Sequence, residues 1–140
     1  MTIHTYDPTN ISVTVAGRNL SNFADTFVKI ALSGDNFTLI KGADGEGTRN
    51  YNADRSGEVT ITLKGSSEDN LFLSGLAATD LATKVGTFPI FIKDNNGSSI
   101  YTAAEAWVKK TADAEFGKEV SDREWVFSCN ELLMVNGGNN

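Results

Sequence analysis

The sequence contains very few of the residues that form covalent cross-links or catalytic centres. Its 140 residues include one cysteine, Cys129, and one histidine, His4. A disulfide within the chain is therefore excluded, and so is a zinc site with several cysteine or histidine ligands. A Ser–His–Asp or Cys–His mechanism would have to use His4, close to a terminus, where chains usually fray. We therefore predict no enzymatic activity, no catalytic residues, no metal site and no cofactor.

The sequence also lacks long apolar runs and an excess of positive charge. No run approaches the roughly 18–20 apolar residues of a membrane span, and residues 1–7 lack the basic and apolar regions of a signal peptide. There are 12 basic and 18 acidic side chains, which give a formal net charge of −6 at pH 7. This balance argues against a protein that grips nucleic acid by its phosphates. We predict a single domain over residues 1–140, without membrane contact.

Most segments alternate apolar and polar residues with a period of two, which is typical of half-buried β-strands. The clearest alternation covers residues 58–64 and predicts that Val59, Ile61 and Leu63 face the core. Further strands are indicated near residues 11–16, 27–32, 88–93, 123–130 and 131–135. In the last two, one parity is formed by Trp125, Phe127, Leu133 and Val135. Residues 101–114 fit either a strand or a helix, and we expect Trp107 and Trp125 to anchor the core.

One helix is predicted over residues 67–85. Ser66 or Ser67 can cap its start, and Gly86 follows its end. Its apolar face is formed by Leu73, Leu76, Ala77 and Leu81. About seven strands with a single helix predict a mainly β fold, an antiparallel β-sandwich or small barrel with one flanking α-helix.

Residues 42–57 interrupt this pattern and contain a single aromatic residue, Tyr51. They lie between a strand ending near Lys41 and the strand that begins at Glu58. If those two strands pair, the segment is a long hairpin loop that exceeds the usual length of about 2–5 residues. Loops of this length in compact domains are usually functional or disordered. The segment is therefore either a mobile surface loop or an arm that becomes ordered against another subunit.

Several segments, in order along nearly the whole chain, carry a resemblance to a known family. They are residues 6–8 (YDP), 13–17 (VTVAG), 48–60 (TRNYNADRSGEVT), 66–70 (SSEDN), 92–94 (IKD), 106–107 (AW) and 123–127 (REWVF). Together they resemble the tail tube proteins of contractile-tailed bacteriophages, whose fold is shared with the tube protein of type VI secretion systems.

The resemblance implies a β-sandwich subunit that forms rings, with six subunits to a ring, and rings that stack into a hollow tube for genome delivery. It implies a structural virion protein, part of the phage tail, that is assembled in the host cytoplasm. The implied partners are further copies of the chain, the tail sheath, the baseplate and the tail terminator, while phage DNA passes through the lumen without specific binding. A type VI-like secretion tube and a monomeric β-sandwich binding module, for example for sugars, are the alternatives.

The resemblance also implies a role for the long loop, which occupies the position of the hairpin that reaches the next ring in the family. On this basis we predict ring-to-ring contacts from Arg49, Tyr51, Asp54 and Arg55. An arm with so little apolar content gains order only against a partner, which a stacked ring provides.

The polar face of the strand that begins at residue 58 is predicted to line the lumen. The lumen-facing residues are Glu58, Thr60 and Thr62. A basic wall would bind duplex DNA, whereas an acidic or neutral wall repels it over a Debye length of about 8 Å and lets it slide. The alternative is that this face is simply solvated, as one face of an antiparallel sheet can be.

Overall fold

The computed structural model describes residues 3–139, which form ten β-strands and one α-helix. The strands are β1 (Ile11–Val15), β2 (Arg18–Asn19), β3 (Phe23–Leu32), β4 (Phe37–Lys41), β5 (Gly47–Tyr51), β6 (Gly57–Lys64), β7 (Phe88–Asp94), β8 (Ile100–Lys110), β9 (Asp122–Cys129) and β10 (Leu132–Val135). The helix α1 (Asp69–Thr83) lies between β6 and β7. Residues 101–114, for which the sequence left strand and helix open, therefore fall mostly in a strand.

Eight strands form one antiparallel sheet in the order β2-β1-β7-β8-β9-β6-β3, and β10 pairs with β8 beside β9. The sheet curls on itself. Its curvature brings Val28 and Ile30 of β3 to the same cavity as Ile92 of β7 and Tyr101 of β8. The two remaining strands, β4 and β5, pair only with each other. The predicted mainly β fold with one helix and a long hairpin is confirmed.

The interior of this curled sheet is filled by aliphatic and aromatic side chains. On β6 the alternation works as the sequence predicts: Val59, Ile61 and Leu63 are fully buried. Phe127 packs edge-on against Phe88, with ring centroids 6.0 Å apart. Each large apolar side chain that is buried in this way contributes about 1.5–3 kcal/mol to the folded state.

The chain bends at residues 130–131, between β9 and β10, while both strands keep one register against β8, with Cys129 opposite Ala106 and Leu132 opposite Ala103. Cys129 and Leu132 both face the core, whereas Leu133 is 63% exposed. The prediction that Leu133 and Val135 share the core parity of Trp125 is therefore wrong, because the chain bends between the two strands and Cys129 and Leu132, three residues apart, both face the core, opposite Ala106 and Ala103, which are also buried.

The two tryptophans have different environments. Trp125 is buried, and its Nε1 donates a hydrogen bond to Asn70 Oδ1 at 3.0 Å. Trp107 is only half-buried, and it is paired with Ser128 on the outer face, one residue after the buried Ala106. The prediction of a core anchor is right for Trp125 and wrong for Trp107, since neighbouring residues of a strand point to opposite faces.

The helix covers one opening of the curled sheet through Leu73 and Ala77, which are buried. It starts later than predicted, and Lys84, in a left-handed conformation with φ 60°, ends it before Gly86. Leu81 is 77% exposed, so the prediction that it belongs to the buried face is wrong. At 3.6 residues per turn, Leu81 lies about 80° around the helix from Leu73.

Candidate assembly surfaces

A two-stranded hairpin extends from the sheet between β3 and β6, and we call residues 33–56 the arm. Its strands β4 and β5 pair along their whole length, from Phe37 opposite Tyr51 to Lys41 opposite Gly47. β6 pairs instead with β3 and β9, so the pairing of the Lys41 strand with the Glu58 strand that the sequence suggested is wrong. Half of the segment 42–57 is thus a strand or a tight turn, and only residues 42–46 connect the two strands of the arm.

One face of the arm is apolar although every residue of β4 and β5 is exposed. The rings of Phe37 and Tyr51 pack against each other at an angle of 52°, with centroids 5.6 Å apart. The guanidinium carbon of Arg49 lies 4.1 Å from the centroid of Phe37. Leu39, which is paired with Arg49, is 65% exposed. We call Phe37, Leu39, Arg49 and Tyr51 the aromatic face of the arm. An isolated hairpin is marginally stable in water, and exposed apolar groups of this kind point to a partner.

The base of the arm is held by hydrogen bonds within the chain. Arg55 Nη1 donates to Asn36 Oδ1 at 2.7 Å, and its Nη2 donates to the carbonyl oxygen of Asn52. Asp54 Oδ1 accepts from the backbone N–H of Ser56 at 2.9 Å, and this bond lowers the pKa of the Asp54 carboxyl. Asp54 and Arg55 therefore shape the arm, whereas Arg49 and Tyr51 are displayed on its aromatic face.

The polar residues of β6 lie on the outer face of the sheet, opposite the core. Glu58 forms an ion pair with Lys109 of β8. Thr60 is paired with Lys29, and Thr62 is paired with Glu124. Both threonines line a shallow depression together with Asp25, Lys29, Asp122 and Glu124. Three acidic groups against one basic group leave this depression with negative charge.

A second exposed apolar feature, which sequence reasoning missed, lies in the loop between β8 and β9. Phe116 is 88% exposed and Val120 is 68% exposed. The guanidinium carbon of Arg123 lies 5.4 Å from the centroid of Phe116. The available signal was the presence of two large apolar residues in an otherwise polar segment.

Within residues 3–139, no group of three or more His, Cys, Asp or Glu side chains is placed to hold a metal ion. The same part of the chain contains no helix long and apolar enough to cross a membrane. The single thiol, Cys129, is buried, and burial raises its pKa to about 11. It is therefore protonated at neutral pH, which does not suit a nucleophile.

Comparison with known proteins identifies the family. The family model for the bacteriophage PhiTE tail tube protein matches residues 3–137. The chain is also 31% identical, over 144 residues, to structural protein ORF10 of Pseudomonas phage KPP10, and the match covers 96% of this chain and 83% of that protein. The chain belongs to the phage tail tube family. It is a structural subunit of the tail tube and thus a component of the virion, as the resemblance predicted.

Solved structures share its fold at low sequence identity. The TM-score is 0.63 with a chain of the extended sheath-tube complex of PVC, an extracellular contractile injection system, at 13% identity over 94% of this chain and 91% of that chain. It is 0.61 with a chain of a native gene transfer agent virion, at 8% identity over 94% and 100% of the two chains. For the PVC sheath/tube terminator it is 0.60, at 11% identity over 97% and 100%. At identities of 8–13%, these three similarities establish a shared fold.

Proposed function

We propose that six copies of this chain form a ring and that the rings stack into a hollow tube through which phage DNA passes. The observation that carries the proposal is the arm. No other part of residues 3–139 covers its aromatic face, and a hairpin of two strands needs a partner to remain ordered. A stacked copy supplies that partner.

The edges of the sheet support assembly into a ring. β3 is an end strand of the sheet, with 10 residues, and its outer edge has no partner strand among residues 3–139. At the other end, β2 has only 2 residues and covers little of β1. Open edges of this kind invite pairing with another chain. Neighbouring subunits that join their sheets at these edges would protect them and close the wall of the tube.

The outer face of β6 supports the lumen assignment of Glu58, Thr60 and Thr62. Around the two threonines there are three acidic groups and one lysine, and the positive charge of Lys109 is paired with Glu58. A wall of this composition offers no track of free cations along which duplex DNA could bind. On this proposal DNA slides past the face without specific contacts.

The partners beyond the tube itself follow from the family and from the similar structures. One of those structures is a sheath-tube complex, and another is a sheath/tube terminator. On our proposal the outer wall of the assembled tube contacts the tail sheath, and its ends contact the baseplate and the tail terminator. The aromatic face of the arm, with Arg49 and Tyr51, makes the ring-to-ring contacts, and Asp54 and Arg55 contribute from its base.

Electron microscopy of the concentrated protein tests the proposed function. We expect annular end views and hollow rods in negative stain, because stacking covers the aromatic face of every arm except those at one end. Analytical ultracentrifugation over a wide concentration range provides the quantitative measurement. A protein that stays monomeric at every concentration would contradict the proposal and favour a β-sandwich binding module.

A further inference from the structure

The arm and the loop between β8 and β9, residues 111–121, lie at opposite ends of the sheet. The strand register fixes this arrangement. At one end Gly57 pairs with Leu32 and Cys129, and at the other Lys64 pairs with Asp122. β6 has 8 residues, which at about 3.3 Å per residue separates these ends by roughly 25 Å. The arm continues beyond the first end and the 111–121 loop is attached at the second, so they belong to opposite surfaces of the subunit.

The 111–121 loop presents its apolar side chains on a fixed backbone. Ser121 Oγ donates to the carbonyl oxygen of Glu115 at 2.7 Å, and Arg123 Nη1 donates to Ser121 Oγ at 2.7 Å. Gly65 packs so closely beneath it that an added Cβ would lie 2.4 Å from the Ser121 carbonyl oxygen. Phe116 and Val120 nevertheless point into solvent, at 88% and 68% exposure. An anchored loop with uncovered apolar groups is typical of a binding surface.

The two surfaces differ in charge, and on the loop the difference rests on Glu115 and Glu119, because Asp113 is paired with Lys110 at 3.6 Å and Arg123 lies over Phe116. The loop carries three acidic residues and one lysine, a net charge of −2: Asp113, Glu115, Glu119 and Lys118. The aromatic face of the arm carries Arg49, and Lys41 lies on the same face of the hairpin by register. The acidic residues of the arm lie outside β4 and β5, in its turn and at its base. Each surface thus pairs apolar groups with charges that complement those of the other.

We propose that the aromatic face of the arm docks on the 111–121 loop of a second copy in the next ring. This rests on the proposed function and adds the receiving surface to it. One chain cannot make this contact with itself, because the two surfaces lie at opposite ends of its sheet. The interface joins two different patches, so it repeats head to tail and does not close on itself. Arg49 of one copy faces Glu115 and Glu119 of the next, and Phe116 and Val120 cover Leu39 and Tyr51.

Charge reversal on both sides tests the contact. We expect Lys41→Glu/Arg49→Glu and, separately, Glu115→Arg/Glu119→Arg to abolish rods in negative stain while single rings persist. Mixing the two variants should restore association between unlike copies. The matched controls, Lys84→Glu and Glu68→Arg, change exposed charges elsewhere and should leave rods intact. Normal rods from the Glu115→Arg/Glu119→Arg variant would overturn the assigned surface.

Cross-linking provides a measurement that does not depend on the stacking of Arg49 on Phe37. In a Cys129→Ala background, Leu39→Cys and Val120→Cys chains are assembled together and treated with a short bis-maleimide. We expect a covalent dimer in the assembled mixture and none in dilute subunits. Leu39→Cys with Leu81→Cys is the control and should give no dimer, although Leu81 on α1 is more exposed than Val120, at 77% against 68%.

The outcomes separate this proposal from the proposed function. Wild-type protein that forms neither rings nor rods would overturn both. Normal rods without the Leu39–Val120 link, or with a stronger link to position 81, would overturn the receiving surface alone and leave the tube intact.

Discussion

At the scale of single residues, Gly57 occupies the point where the arm returns to the sheet. Its backbone lies so close to its neighbours that an added Cβ would be 2.5 Å from Leu132 Cδ2 and 2.7 Å from the Ala31 carbonyl oxygen. The second of these contacts is with backbone, which cannot move without disturbing the pairing of β3 with β6. The absence of a side chain here is therefore a packing requirement.

We expect Gly57→Ala to destabilise the subunit by about 1–3 kcal/mol, the usual cost of forcing extra atoms into a packed site. Gly75→Ala is the matched control, because it makes the same change in an exposed helix where nothing lies within 4 Å of the added Cβ. Removing a glycine from a helix should stabilise the protein by up to about 1 kcal/mol. Urea unfolding measures both values, and shifts of the same sign would contradict the packing argument.

Cys129 makes stability depend on pH in the alkaline range. Burial raises the pKa of its thiol to about 11, whereas the unfolded chain loses this proton near its ordinary pKa of 9.0. The stability that the protonated thiol contributes to the folded state is fully present below pH 9. It is lost as the pH rises towards 11, because in that range the unfolded state releases the proton and the folded state keeps it. At pH 10.5 the loss is about 2 kcal/mol.

The free energies of unfolding of the wild type and Cys129→Ala, measured at pH 8 and pH 10.5, check this expectation. The variant keeps the other titrating groups, so the difference between the two proteins isolates the thiol. Between pH 8 and pH 10.5 the free energy of unfolding of the wild type should fall by about 2 kcal/mol more than that of the variant. Equal pH dependence in both proteins would count against a buried, protonated thiol.

At the scale of elements, the arm is attached to the sheet by a narrow connection. The backbone N–H of Ser33 donates to the carbonyl oxygen of Ser56 at 3.0 Å, so the chain returns to nearly the point from which it left. β3 and β6 continue their pairing below that point. The subunit core therefore does not depend on the residues between them.

Replacing residues 34–55 with Asn-Gly should join β3 and β6 by a tight two-residue turn. We expect a folded subunit whose circular dichroism retains the β signal and whose rings no longer stack, because the aromatic face of the arm is gone. Within residues 3–139 the replacement removes one hydrogen bond to the sheet, from Leu132 N–H to the Arg55 carbonyl oxygen, and the Arg55 side chain beside Thr102 and Leu133. Normal rods from this variant would contradict the role of the arm. An Asn-Gly replacement of the arm's own turn, residues 43–44, is the control and should leave stacking intact.

The sequence predicts the individual strands better than their partners. The alternation around Val59, Ile61 and Leu63 identified a buried face correctly, because period-two burial is a local property of a strand. The pairing of β4 with β5 was missed, because Leu39 and Ile40 are apolar yet exposed, and so suggest a core strand. The parity change before Leu132 was missed for a similar reason: the bend at residues 130–131 follows the pairing with β8, where Ala103 and Ala106 are both buried, and a single strand's pattern carries no clear signal of it.

For the assembly surfaces, the roles assigned to single residues stay predictions, and the structure shows only where those residues lie. Arg49 and Tyr51 lie on an exposed face of the arm, and Glu58, Thr60 and Thr62 share the outer face of β6. Sequence reasoning missed Phe116, because a single aromatic residue in a polar loop gains meaning only when its exposure is known.

At the scale of the whole molecule, the proposed lumen assignment makes the outer face of β6 the surface that DNA meets inside the tube. We expect Thr60→Lys/Thr62→Lys to fold and assemble, because both side chains are half-buried on the outer face and Glu124 lies opposite position 62. The added cations should bind duplex DNA in the range of about 10⁻⁴–10⁻⁶ M per site and release it as salt rises. Nuclease-protected DNA that sediments with the tubes is the measurement.

The control for this prediction places the same two charges on exposed positions of α1, as Ser74→Lys/Ala78→Lys. These tubes should protect no more DNA than the wild type does. Equal protection by both variants would show that the effect comes from net charge, and the lumen assignment would then fail.

If the arm docks on the 111–121 loop of the next copy, their placement at opposite ends of the sheet gives a finished tube a direction. A rod of subunits stacked in this way would display unoccupied hairpins at one end and unoccupied acidic loops at the other. No single capping protein would then fit both ends through the same contacts, so the protein that starts the rod and the protein that stops it would recognise different chemistry.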